Sequence, residues 1–335
     1  MVKKAVLKND VSVSVLLATY NSFSTYDNKD YLEQQLNSII QQSELPNEII
    51  FLDDCSSDST QSYVNEFISN NKTSIKMRQI VQRENVGYVS NFLTGIRENK
   101  NDIIIFCDQD DLWNINRVSE IKRFFRENPN MLALHSDFDV IDENNTVILK
   151  NVQGYDKKLE KLTLEKFVKK VAYAGMALAF RSKGMSEEIL TISEKYNIPT
   201  HDQIICCLAT IHEGFYTTNL KFSERRFTGH NVGLGSVSKH YGSVNVKNRI
   251  NGIKKYQLTY EHIGEYLALM NSSDEIDLCK YKKNADIRLV YLKKNSITKW
   301  LLNLKNIRLY PSNKAYFGDL VVILKDKLSI WRNEK

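Results

Sequence analysis

The stretch that decides the fold is Ile103–Trp113, IIIFCDQDDLW. Its apolar lead, Ile103 to Phe106, is a short β-branched and aromatic run, which predicts a strand buried on both faces. Asp108, Asp110 and Asp111 then fall where that strand leaves the sheet, the edge at which open α/β sheets bind ligands. Acids this close repel one another, so a cationic partner is expected. A hard divalent ion, Mg2+ or Mn2+, matches best, because it joins one or two carboxylates to a substrate's phosphates. The plainer alternative is an acidic turn capping the next helix.

Upstream, strands and helices alternate. Val11–Ala18 (VSVSVLLA) predicts a buried strand ending in Thr19-Tyr20-Asn21, followed by a helix with Tyr31, Leu32, Leu36, Ile39 and Ile40 on one face. Glu48–Leu52 is a second strand running into Asp53-Asp54-Cys55-Ser56-Ser57-Asp58; Ser57 or Asp58 can cap a helix that turns Val64, Phe67 and Ile68 inward. Ile75–Val81 is a third strand, with a turn at Asn85-Val86-Gly87 and a helix through Phe92 and Ile96. Such alternation predicts a mostly parallel sheet with helices on both faces. Polar clusters at Tyr20-Asn21, Asp53-Asp54 and Asp108–Asp111 would then converge, and a nucleotide site explains this better than unrelated turns.

Downstream, Val118, Ile121, Phe124 and Phe125 form the inner face of another helix. Met131–Ser136 predicts a strand, with DENNT (Asp142–Thr146) as a hairpin turn to Val147–Leu149. Asn151–Lys170 is charged and contains a short helix. Gly175–Phe180 (GMALAF) predicts a strand whose small residues admit the close approach of a ligand or another backbone. His201-Asp202 starts a helix whose body, Ile204–Ile211, is apolar nearly all round and so buried. Phe222–Gly235 predicts a glycine-rich loop carrying His230.

Beyond residue 240 the character changes. From Tyr241 to Lys335 there are 18 Lys and Arg against 9 Asp and Glu, a net +9, which leaves −3 on the first 240 residues out of the chain's +6. Ile297, Trp300, Leu301 and Leu304 make an apolar stripe among Lys294, Lys299 and Lys305, and Leu320–Trp331 repeats it beside Lys325 and Lys327. These predict amphipathic helices that pack on the catalytic domain, pair with a second subunit, or lie on an anionic membrane surface. The basic tail shows no arrangement of basic and aromatic residues typical of a base-reading module, so no nucleic-acid partner is expected.

The 335 residues suffice for a large α/β domain plus an appendage, with 42% apolar and 26% charged residues, as in soluble globular proteins. The five cysteines lack a CxxC spacing, which predicts reduced thiols and no zinc site. No signal peptide is apparent at Met1–Asp10, and apolar runs such as Leu320–Leu324 fall far below the roughly 18 residues of a membrane span. A cytoplasmic protein, peripheral on the inner face of the membrane if the tail binds lipid, is the expectation.

ATYN (Ala18–Asn21), Glu33–Thr60 (EQQLNSIIQQSELPNEIIFLDDCSSDST), ENVGYVSNF (Glu84–Phe92), DQDDLW (Asp108–Trp113), HD (His201-Asp202) and GHNVG (Gly229–Gly233) occur in that order. Together they resemble the family 2 glycosyltransferases of the GT-A fold, within them the bacterial rhamnosyltransferase-like enzymes of capsule and cell-surface polysaccharide assembly. The resemblance covers roughly residues 10 to 235. It implies a GT-A, Rossmann-like, mostly parallel sheet over residues 1–240; residues 241–335, outside the resemblance, are expected from their charge and apolar stripes to form a basic, mainly helical region. It also implies transfer of rhamnose or another hexose, with inversion, from a UDP- or dTDP-sugar to a saccharide or lipid-linked acceptor.

In such enzymes Tyr20 would stack on the base, Asp54 would bond its edge, and Asp53 would support that loop. The matching motifs also place Asn21, Asn85, Gly87 and Gln109 at the donor. Asp108 would contact the ribose or the metal, Asp110 would be the main ligand of Mn2+ or Mg2+, and His230 would join the metal from the far side. Asp202 matches the catalytic base, and Trp113 would wall the sugar pocket. Gln203 departs from the pattern, an aromatic being commoner there, which bears on acceptor contacts. Two other readings compete. A nucleotidyltransferase would carry a glycine-rich basic loop after its first strand, where this chain has ATYNSFSTYDNK. A non-catalytic partner in a polysaccharide-assembly complex would have no need to keep Asp108, Asp110 and Asp202.

Overall fold

The buried strands around Ile103–Cys107 build one large sheet. The computed structural model describes residues 11–25, 30–171, 173–196, 200–228, 245–269 and 277–333, with side chains to 328. The chain divides into two compact units, Met1–Leu162 with Tyr173–Gly235, and Thr163–Ala172 with Ser236–Lys335.

In the first unit the elements are β1 (Val13–Thr19), α1 (Tyr31–Ile40), β2 (Glu48–Asp53), α2 (Thr60–Asn70), β3 (Lys76–Val81), α3 (Gly87–Glu98), β4 (Ile103–Cys107), β5 (Leu112–Trp113) and α4 (Arg117–Glu127). There follow β6 (Ala133–Ile141), β7 (Val147–Leu149), β8 (Glu160–Lys161), β9 (Leu178–Arg181), α6 (Ser186–Lys195), α7 (His201–Ile211) and β10 (Phe215–Arg226), with the short α5 (Leu164–Phe167) belonging to the second unit. The strand order is β3-β2-β1-β4-β9-β6-β10-β5, with β7 on β6 and β8 on β10. The strands β3, β2, β1 and β4 are all parallel, Leu16 pairing with Ile50 on one side and Phe106 on the other. Across β9, antiparallel to both β4 and β6, the sheet becomes mixed.

This order has a consequence for binding. The chain leaves β1 for β2 and β3 on one side, then returns to β4 on the other. Loops at the carboxyl ends of β1 and β4 therefore diverge and leave a crevice, the usual ligand position in open α/β sheets. All of Ile103–Cys107 is buried, and α1, α2 and α4 cover the sheet with Leu32, Leu36, Ile39, Val64, Val118, Ile121, Phe124 and Phe125.

Two local expectations change. Gly175–Ala177 is a 3-10 turn rather than the start of a strand, because Ala177 N–H bonds Ala174 O and Arg117 Nη2 takes Met176 O at 2.6 Å. Phe222–Arg226 is strand, not loop: Ser223 and Glu224 pair with Trp113 and Leu112. They close β10, a 12-residue strand whose register on β6 shifts between Thr218 and Lys221 and again between Lys221 and Glu224. Such bulges break the alternation that marks a strand in sequence.

The second unit is helical: α5, α8 (Val246–Leu269), α9 (Leu278–Lys293), α10 (Ile297–Leu302), a 3-10 segment at Asn303–Leu309 and α11 (Asn313–Asn333). Thr163–Ala172, within residues 1–240 of the sequence reading, falls in this unit; Phe167 and Val168 are buried and Tyr256 bonds the Val171 backbone. Its core joins Ile253, Tyr291, Leu292, Trp300, Tyr316, Val322 and Ile323. Asp319, fully buried, receives Arg249, Arg288 and Tyr291. The predicted stripes divide: Trp300 turns inward while Leu301, Leu302 and Leu304 stay exposed, Leu302 at 74%. On α11, Phe317, Val321, Leu324 and Leu328 are exposed at alternating spacings of four and three, a continuous helical face. Among the described residues no helix is long and apolar enough to cross a membrane.

Candidate active site

The loops leaving β1, β2 and β4 are sewn together by side chains that bond backbone. Asp53, with no exposed surface, accepts from Thr19 Oγ1 (3.0 Å), Ser56 N (2.8 Å), Ser56 Oγ (2.6 Å) and Gln61 Nε2 (3.0 Å). Asn21, at φ +45°, offers Oδ1 to Ser57 N at 2.8 Å, a use of the left-handed region to which asparagine is suited. Gln109 bridges β4 to β1: its Oε1 accepts from Tyr20 N (2.8 Å) and Ser22 Oγ (2.7 Å), and its Nε2 donates to Tyr20 O (3.2 Å). Tyr20 itself is 44% exposed beside this clamp, its ring available to a planar ligand.

Asp54 has a different environment from the base-edge position of the sequence reading. It is buried, and its two oxygens accept from Val86 N (2.7 Å) and Gly87 N (2.9 Å). It therefore fixes the Asn85–Gly87 turn at the start of α3, where Gly87 takes φ +79°, a conformation costly for other residues.

The acids after β4 are crowded. Asp110 and Asp111 are buried and Asp108 partly so. Burial raises the Asp111 carboxyl well above its usual range, with the charges of Asp110 and Asp108 adding to the shift. Burial also raises Asp108; Arg225 and His201 oppose this, and Asp202 reinforces it. Asp108 and Asp202, 94 positions apart in the sequence, thus lie within each other's field. Tyr88 joins them, its hydroxyl pushed up by burial and by both carboxylates.

Asp202 is placed by the start of α7. Thr200 is the N-cap, taking Gln203 N, and its hydroxyl also bonds Asp202 Oδ1, which accepts from Gln203 N at 2.8 Å. Asp202 Oδ2 has no partner among the described residues. The preceding His201 is buried in an aromatic box, its ring 4.4 Å from Phe92 and 4.7 Å from Phe106, and burial lowers its basicity. A Cβ on Gly175 would come within 3.0 Å of His201 Nε2 and 3.7 Å of Asp202 Cβ. The close approach at Gly175 is made by this histidine side chain, not by the ligand or backbone expected from the sequence.

Sequence reasoning missed Arg226. Fully buried at the end of β10, it holds the acid turn: its N–H meets Asp111 Oδ1 (3.1 Å) and its Nε meets Asp110 O (2.9 Å). The guanidinium also donates to Asp142 O, Asn145 Oδ1 and Gln34 Oε1, and lies 4.2 Å over the Tyr31 ring. Nothing in the local pattern ERRF marks it; only its distant partners do.

Trp113 follows the acid turn, its backbone N–H donating to Ser38 Oγ of α1 at 3.2 Å. Buried in the main core with Arg117 stacked 4.1 Å from its ring, it lines a cavity of about 560 Å3 with residues of α1, β5 and β10. His230 lies outside the described residues, and among those described no three His, Cys, Asp or Glu side chains form a metal-binding cluster.

A mixed sheet with its binding edge at the β1/β4 switch and acids after β4 is the architecture of the GT-A glycosyltransferases. Staphylococcus aureus TarS 1–349, solved in complex with UDP-GlcNAc, shares this fold at TM-score 0.54 and 16% identity, over 96% of this chain and 92% of that one. The mannosyltransferase PcManGT from Pyrobaculum calidifontis, in complex with GDP-Man and Mn2+, gives TM-score 0.51 and 14% identity, covering 95% and 85%. Residues 14–185 match the model of glycosyl transferase family 2, and the chain belongs to that family. Curated relatives include the putative teichuronic acid biosynthesis glycosyltransferase TuaG of Bacillus subtilis, 26% identical over 34% of this chain and 42% of that protein. Another is the dTDP-rhamnosyl transferase RfbG of Shigella flexneri, 32% identical over 28% and 34%. The match thus spans less than half the length of these relatives.

The Asp54 contacts generate a direct test. Asp54→Ala strands two backbone donors at the start of α3, a loss of about 1–3 kcal/mol each where buried. Urea unfolding should show a loss in that range, with faster hydrogen exchange at the Val86 and Gly87 amides. Unchanged exchange there would remove the loop-fixing role.

Proposed function

We propose that this chain moves a sugar from a nucleoside-diphosphate donor to a saccharide or lipid-linked acceptor, with inversion, in the assembly of a bacterial cell-surface polysaccharide. The observation that supports this reading is the packing of His201, next to Asp202, on Phe106 of β4 with ring centroids 4.7 Å apart, which puts Asp202 within the field of Asp108. One group belongs to the donor side and the other is a carboxylate with a free oxygen. Inverting displacement needs one base to take the acceptor's hydroxyl proton. Asp202 suits that role, because Thr200 and Gln203 hold its Oδ1 while Oδ2 remains open to a hydroxyl. Tyr20 supplies the stacking face, with Asn21, Asp53, Asp54, Asn85, Gly87 and Gln109 holding the loops around the donor.

The acids fit a divalent cation. Asp111 Oδ2 is buried without a partner, and the neighbouring carboxylates disfavour one another's charge. Sites for Mg2+ or Mn2+ on phosphates commonly use only one or two protein carboxylates, so Asp110 and Asp108 would hold the ion, with His230 as a further ligand. Such an ion acts as a Lewis acid on the departing diphosphate. The Mn2+ of the mannosyltransferase and the UDP-GlcNAc of TarS support this class of donor complex. TuaG and RfbG support a polysaccharide pathway and, for RfbG, a dTDP-rhamnose donor, with UDP-sugars the other candidate.

The second unit gives a reason for location. Leu301, Leu302 and Leu304, with the Phe317–Leu328 face of α11, expose apolar side chains in a region of net charge +9. Apolar surface among lysines and arginines complements an anionic leaflet, and this surface is proposed to rest there.

Three outcomes are expected. Asp202→Asn should lower sugar transfer by at least about 10²-fold, while the melting-temperature rise given by UDP- or dTDP-sugar stays as in the parent protein; near-normal transfer would rule out the base. Asp110→Ala should abolish the Mn2+-dependent part of that nucleotide shift, read in paired melts with metal and with chelator. Finally, the full chain should float with phosphatidylglycerol vesicles at low salt, and Leu302→Glu should weaken this. Sedimentation without vesicles, or discrete dimers in solution, would replace the membrane reading with packing or pairing.

A further inference from the structure

The cavity beside Trp113 is not one of the loops that would hold a nucleotide. It lies among α1, β5, the turn before β7 and the end of β10, and its wall sets Leu112, Trp113 and Ile115 beside amide and charged side chains. Asn37 and Gln41, one helical turn apart on α1, line it with side-chain amides that have no hydrogen-bond partner among the described residues. Asn114 adds a third amide. At the wall, the Trp113 indole N–H is buried and unpaired, a condition that native proteins avoid because it costs about 1–3 kcal/mol.

The wall also indicates what it would exclude. Its cation, Lys221, is held 2.9 Å from Asp139, and Glu224 adds negative charge. A phosphate or other anion would meet two carboxylates and an engaged lysine. An apolar ligand would bury amides without partners. Sugar hydroxyls, each both donor and acceptor, match unpaired amides, and a volume of about 560 Å3 lies within the range of small-molecule sites. Arg226 ties this wall to the acids: it donates to Gln34 and Asn145 in the lining and to Asp110 O in the turn.

We propose that this cavity binds a neutral saccharide unit, a glycan subsite distinct from the donor loops. The proposal rests on the glycosyltransferase reading, and its natural occupant is part of the growing acceptor. Occupancy would bear on the Asp108–Asp111 turn through Arg226.

The test uses the full chain and neutral sugars: glucose, galactose, mannose, rhamnose and N-acetylglucosamine at millimolar concentration, followed by saturation-transfer NMR and by tryptophan fluorescence. At least one sugar should show transfer, keep it in saturating UDP, and bind about tenfold more weakly to Asn37→Leu/Gln41→Leu, the loss expected from two hydrogen bonds of ordinary strength. Both positions face away from the core, and an unchanged UDP melting shift in the variant certifies its fold. Trp113→Phe should abolish the fluorescence response. No sugar signal, a signal unchanged in the double variant, or one displaced by UDP would each overturn the subsite. Absence of any UDP shift in the parent protein would instead strike the glycosyltransferase reading itself.

Discussion

Carboxylates crowded at the end of a buried strand resist both burial and one another, and the site depends on how that tension is held. Arg226 does most of the holding. It does not neutralise the acids by direct ion pairs; it grips the backbone of their turn through Asp110 O and caps Asp111 through its own N–H. The residues it gathers come from positions 34, 110, 111, 142 and 145. The carboxylates therefore stay close together, within the field of Arg225, on a turn whose backbone is fixed. Removing the Arg226 guanidinium would leave several buried acceptors unmet at once, a larger penalty than any single contact.

The switch of direction between β1 and β4 makes the crevice, and the side-chain bridges keep its rim in register. Gln109 is notable because it mimics a strand partner: its amide reads both the N–H and the C=O of Tyr20. The β1 and β4 loops thereby behave as extensions of the sheet that carries them. Asp53 and Asp54 do the same for β2, one inward and one toward α3. The strand ends thus hold an exposed tyrosine ring and an acid turn at the carboxyl edge of the sheet, while His201 of α7 packs on Phe106 of β4, the preorganisation that the proposed transfer needs.

Much of this was legible in the sequence because β1, β2 and β4 are buried on both faces and carry nearly unbroken apolar runs. β1 to β4 start and end within two residues of their expected positions, and the acids sit at the expected end. The rest was illegible for identifiable reasons. β10 carries two register shifts, so no period of two survives in FYTTNLKFSERR. Arg226 finds its partners through tertiary folding, which leaves no trace in neighbouring residues. Asp54 looks like a ligand contact in DDCSSD, yet backbone amides more than thirty positions away occupy its oxygens. In the basic region the apolar stripes were visible, but which members turn inward depended on Asp319 and the tyrosines around it.

Gly175 shows how little material can set the place of a helix start. Where any other residue has a carbon, this one leaves a gap into which the His201 imidazole fits. The ring in turn fills the box of Phe92 and Phe106 and seats the first turn of α7. A single methyl at that point would lever the imidazole sideways and carry the adjoining carboxylate with it. The first turn of α7 is thus seated against an empty space, and its Asp202 carboxylate takes its place from the absence of a side chain at Gly175.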